Sequence, residues 1–139
     1  MQTASKKVIN GWAMYDWANS VYNLVITTTF FPIYYTEMTK ASPFNGQVHF
    51  FGRSFINTAL YNYALAFTYL IVAITLPILS SIADYKGNKK RFMQFFCLLG
   101  SLACSCLYFF TPRYFDFGVV CMMLAAFGFY GSLVFYNSY

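Results

Sequence analysis

The chemistry open to this chain is that of a few carboxylates, amides and phenols set among apolar residues: of 139 positions 59% are hydrophobic and only 9% charged. Asp16 is the first of these groups. A carboxylate at the centre of a bilayer costs about 2.5 to 3.5 kcal/mol, so Asp16 is expected close to a membrane boundary. At about 100° per residue Asp16, Ser20, Asn23 and Thr27 fall on one helical stripe about 60° wide, with Asn19 nearby. Lipid cannot satisfy such a stripe. It either lines an aqueous path for a solute or a proton, with Asp16 a candidate proton carrier, or it hydrogen-bonds neighbouring helices. Asn62, sharing a face with Thr58 and Tyr69, and the pair Tyr130 and Asn137, seven residues apart, are further candidates for the same path.

A second constellation lies between residues 80 and 91, where Asp84 is followed by Gly87 and then by Lys89, Lys90 and Arg91. Asp84 ends an apolar run, where the helix dipole is negative, so a cationic partner is expected from Lys89 to Arg91. Gly87 permits the positive φ needed to reverse the chain in so few residues. Enzymatic readings fall away. Asp16, Glu37, Asp84 and Asp116 are spread over alternate ends of the apolar runs, and no nucleophile has a nearby base. The spacing also gives no metal centre and no cofactor site: Cys97, Cys104, Cys106 and Cys121 sit within apolar runs as packing residues, and His49 stands apart from them.

Four charge-free runs must carry these groups: residues 17–36, 54–83, 92–112 and 117–139, of 20, 30, 21 and 23 residues. Each can cross a hydrocarbon core of about 30 Å as a helix rising about 1.5 Å per residue. None alternates apolar and polar as barrel strands do. The expected fold is an all-α membrane protein with helices over about 12–36, 57–83, 90–111 and 116–138, in one partial domain covering 1–139. The net charge of +5 is a topology signal rather than a mark of nucleic-acid binding, because Lys6, Lys7, Lys86, Lys89, Lys90 and Arg91 fall to one side and Lys40, Arg53 and Arg113 to the other. Basic residues are retained in the cytoplasm, which puts both termini and the Asp84 loop there. The first run is too long for a signal-peptide core and is expected to stay in place. The segment after Tyr35, with Pro43, Asn45 and Gly46, reads as a short loop on the far side of the membrane, and Pro77 should bend the second helix. Small residues, Gly100 and Ala103 in the third helix and Cys121, Ala125, Gly128 and Ser132 in the fourth, should let two backbones approach closely.

The loop with Asp84, Gly87 and its basic residues resembles the signature between the second and third helices of the major facilitator superfamily, departing from it at Ser80, Tyr85 and Asn88. The opening Trp12-Ala13-Met14-Tyr15-Asp16-Trp17-Ala18-Asn19-Ser20 and the closing Phe135-Tyr136-Asn137-Ser138 more specifically resemble the vacuole effluxer branch, relatives of a fungal autophagy-related amino-acid exporter. The resemblance implies the first four of twelve helices, continued by the remaining helices of a longer chain, and alternating access to a central solute site. It implies an inner-gate role for Asp84, Gly87, Lys89 and Arg91. The function expected is secondary transport of amino acids or similar small solutes, in a bacterial inner membrane or a vacuolar membrane. The alternative is a self-contained four-helix membrane protein, either a small exporter subunit or a non-transporting scaffold.

Overall fold

The computed structural model describes residues 5–41 and 44–138, which fall in two compact units, Met1–Met38 and Thr39–Tyr139. The first unit opens with α1 (Lys6–Tyr22), continues as a π-helical turn, Asn23–Thr28, and holds most of α2 (Phe30–Lys40). The single helix expected over 12–36 is therefore divided. At Thr29 the backbone leaves the helical region, with φ −120° and ψ −73°. Two local causes converge there. Val25 to Thr29 are five consecutive β-branched residues, which crowd the preceding turn. Pro32 has no N–H, so the carbonyl of Thr28 loses its α-helical donor. The Thr29 N–H reaches back five residues to Leu24 at 3.1 Å, and the Thr28 hydroxyl donates to the carbonyl of Asn23 at 2.8 Å.

The second unit opens with a hairpin where a plain loop was expected. Strands β1 (Gln47–Phe50) and β2 (Arg53–Ile56) pair antiparallel, Gln47 opposite Ile56 and Phe50 opposite Arg53. Phe51 and Gly52 turn the chain with φ of 47° and 78°, the double positive φ of the tight turns that match strand twist. Below the hairpin Asn57 begins α3 (Asn57–Lys86), its side-chain amide donating to the Thr39 hydroxyl at 2.9 Å and its carbonyl oxygen accepting from the Thr58 N–H at 2.8 Å. Both Asn57 and Thr39 are buried, so each answers the other's polarity.

Gly87 ends α3 at φ 63°, in the left-handed region. Its N–H bonds the carbonyl of Asp84 and the N–H of Asn88 bonds that of Ala83, the paired closure of a glycine C-cap. Then come α4 (Lys89–Cys106) and α5 (Phe115–Asn137). Between them Thr111 is extended, as a residue before Pro112 must be, which stops α4 and its short 3-10 extension, Leu107–Phe109, before the expected end at 111. Among the described residues, three helical segments are long and apolar enough to cross a membrane: Asn57–Lys86, Lys89–Phe109 and Pro112–Asn137.

The small residues of α5 do what their spacing requires. Cys121, Ala125, Gly128 and Ser132 are all buried, and the backbone of Gly128 lies directly on that of Gly100 in α4. Beside this crossing Phe96 is seated over Gly131, and the Phe135 ring stacks on Phe92 and Phe96 at centroid distances of 5.5 and 5.7 Å. Leu76 and Ala83 of α3 complete this core. A methyl group added at Gly128 would stand 2.6 Å from the Gly100 nitrogen, whereas one added at Gly100 would meet nothing closer than 3.5 Å. Gly128→Ala should therefore destabilise the unit by about 1 to 3 kcal/mol, while Gly100→Ala should change stability by less than about 1 kcal/mol. Thermal unfolding of the two variants in detergent checks this asymmetry; equal shifts would contradict it.

Candidate functional site

The polar residues of α1 and of the π-helical turn after it are exposed or half-buried within their own unit. Asp16, Ser20 and Asn23 are exposed, and Asn19 and Thr27 half-buried. The Ser20 hydroxyl is bonded to the carbonyl of Asp16 at 3.0 Å, so its donor is spent within the helix. That leaves the Asp16 carboxylate as the charged group of the stripe.

Helix α3 presents three different faces. One, with Leu60, Ala64, Thr68, Leu76 and Ala83, is buried. A second carries Phe67, Leu70, Ile71, Ile74 and Ile78, all exposed and all of a kind that suits hydrocarbon. The third steps by three and four through Thr58, Asn62, Ala66, Tyr69, Ala73 and Pro77, an arc of about 100° that is exposed throughout. Every residue on it except Tyr69 is small or polar. Pro77 stays inside a continuous helix and leaves the carbonyl of Ala73 without its α-helical donor, which adds a backbone acceptor to this face.

On this third face Tyr69 meets Tyr130 of α5. Their hydroxyls are 3.2 Å apart and their rings form an edge-to-face corner, with centroids 5.3 Å apart and planes at 77°. Tyr69 remains 40% exposed, so one phenol pair is both mutually bonded and open. It lies about 18 Å along α3 from the start of that helix, near mid-span. Asn62 is about 10 Å from Tyr69 along the same axis, and Asn137 is exposed in the last turn of α5.

The Asp84 loop assembles as a junction of three helix ends. Lys89 Nζ lies 2.6 Å from Asp84 Oδ1 and donates to the carbonyl of Ser138, just beyond α5, at 3.4 Å. One ammonium thus meets the carboxylate and two negative helix ends. Arg91 is exposed, as is Gly87. The structure brings together Asp84 with Lys89 and Tyr69 with Tyr130.

Residues 4–139 match the family model described as "Vacuole effluxer Atg22 like". The chain belongs to this family. Over 94% of its length it is 35% identical to a Bacillus subtilis protein named as an uncharacterized MFS-type transporter, YxiO. Over 97% it is 27% identical to Autophagy-related protein 22 of Coccidioides immitis, and over 60% it is 33% identical to Autophagy-related protein 22-1 of Aspergillus clavatus. The chain spans 28% of the length of each of the first two relatives. No solved structure matches it. Family membership and three long apolar helices make it an integral membrane protein.

Three features of this effluxer-family chain escaped the sequence reading. The buried Thr39 and Asn57 bond joins residues 18 apart that carry no shared pattern. The completeness of the α3 face was hidden because its alanines are neutral in type and become informative only once seen exposed beside Tyr69. The capture of the Ser138 carbonyl by Lys89 has no sequence signal. For the Asp84 and Lys89 pair, whose side chains are 54% and 31% exposed, a double-mutant cycle of Asp84→Asn and Lys89→Met should give a coupling of about 0.2 to 1 kcal/mol at low salt. Raising salt to about 1 M, where screening acts within about 3 Å, should shrink that coupling. A coupling that ignores salt would contradict this account of the junction.

Proposed function

We propose that this chain serves as the N-terminal part of a secondary active transporter that exports amino acids or similar small solutes by alternating access. The observation that carries the reading is the third face of α3. It is exposed, free of large aliphatic side chains, and holds Asn62 and Tyr69 beside a face built for hydrocarbon. A lipid-exposed helix has no use for two such different surfaces, whereas a helix between lipid and a solute path needs both. The family description as vacuole effluxers and the MFS-type name of the Bacillus relative support it.

In this reading Asn19, Ser20, Asn23, Asn62, Tyr130 and Asn137 line the path and Asp16 carries a proton. The remaining helices of the same longer polypeptide supply the other wall. The junction of Asp84, Gly87, Lys89 and Arg91 acts as the inner gate: Lys89 holds the ends of α3 and α5 together in one state and releases them in the other. Both termini of the four-helix segment face the cytoplasm, in a bacterial inner membrane. The full-length polypeptide in proteoliposomes should export amino acids, with a flux that responds to an imposed pH gradient across the membrane. Asp16→Asn should flatten that dependence. Failure of the intact protein to move any small solute would overturn the proposal, and an unchanged pH profile in Asp16→Asn would overturn the proton role.

A further inference from the structure

We propose that the corner formed by Tyr69 and Tyr130 is a solute-binding subsite selective for an ammonium group. The inference rests on the transport reading for its place in a path, but its chemistry is read from the corner itself. The two rings stand at 77° to one another, and Tyr69, being 40% exposed, is the ring a ligand reaches from outside. A cation within about 6 Å of such a face is attracted by the ring quadrupole, the more so when water is excluded. One turn further along α3, Pro77 cannot donate to the carbonyl of Ala73.

The runs that supply this corner carry no charge of either sign. The charge-free runs 54–83 and 117–139 that supply this corner hold no lysine, arginine or histidine. Lys89 lies at the far end of α3, occupied by Asp84 and the Ser138 carbonyl. A carboxylate or phosphate brought to mid-span here would be desolvated with no opposite charge on these helices to meet it, a cost of several kcal/mol. An ammonium group meets no opposite charge on these helices either, but it meets aromatic ring density and hydroxyl lone pairs, which attract a cation and not an anion. The mutual hydroxyl bond at 3.2 Å holds the rings at their angle, so the hydroxyls position while the rings attract.

Choline and its uncharged isostere 3,3-dimethylbutan-1-ol separate charge from shape. Calorimetric titration of the full-length protein in nanodiscs should show saturable choline binding at least about tenfold tighter than binding of the isostere, the upper range for a desolvated cation on aromatic faces. Tyr69→Leu and Tyr130→Leu should each weaken choline binding about tenfold, whereas Tyr69→Phe and Tyr130→Phe, which keep the rings, should weaken it by about threefold or less. Equal affinity for the two probes, no choline binding, or leucine variants that elute as monodisperse protein and bind choline unchanged would overturn the inference. Flux of other solutes through the same protein in proteoliposomes reports on the transport reading separately: flux without choline binding sinks only the subsite, and choline binding without flux sinks only the transporter.

Discussion

Contact between the backbones of Gly100 and Gly128 sets the separation of α4 and α5, and the rest of the second unit is arranged around it. With no side chain between the two helices at that point, Phe96 can reach over Gly131 and stack with Phe135. The aromatic stack in turn gives α3 a firm surface to pack on through Leu76 and Ala83. Because that packing uses only one side of α3, its other two sides are left for hydrocarbon and for polar groups. The separation of functions around one helix therefore follows from a packing contact made by two other helices.

A second constraint acts along the chain. Backbone groups in an apolar medium must be paired, and each place where this chain interrupts a helix shows how the freed groups are handled. At Gly87 the carbonyls of α3 are taken by the N–H groups of Gly87 and Asn88. At the end of α5 the Ser138 carbonyl is met by Lys89, which also neutralises Asp84. At Thr29 a π-helical turn and the Thr28 hydroxyl absorb the break. At Pro77 the helix runs on, although the proline has no N–H to give the carbonyl of Ala73.

How much of this was legible depended on how local the cause was. The long apolar runs, the positive φ at Gly87 and a cation for Asp84 within the next few residues follow from chemistry a few positions wide, and each was readable. The division of the first span was readable in principle, because five β-branched residues followed by Pro32 are a local signal, but the length of the charge-free run outweighed it. The hairpin was obscured by its turn: Asn45 and Gly46 do turn the chain, with φ of 48° and 82°, but the two strands reverse at Phe51 and Gly52, where a phenylalanine takes φ 47°. The Tyr69 and Tyr130 corner joins residues 61 apart, so their types could be noted but their meeting could not.

The central claim is that the small and polar face of α3 borders water while the face bearing Ile74 and Ile78 borders hydrocarbon. Single cysteines at Thr58, Asn62, Ala66 and Ala73, and separately at Phe67, Ile74 and Ile78, would be placed in the full-length protein after replacement of its native cysteines. Treatment of intact membranes, from each side, with a membrane-impermeant thiol reagent then reads the two faces directly. The account predicts labelling along the first set and none along the second. Protection of both sets from both sides would mean that the polar face is sealed in dry protein, and would contradict it.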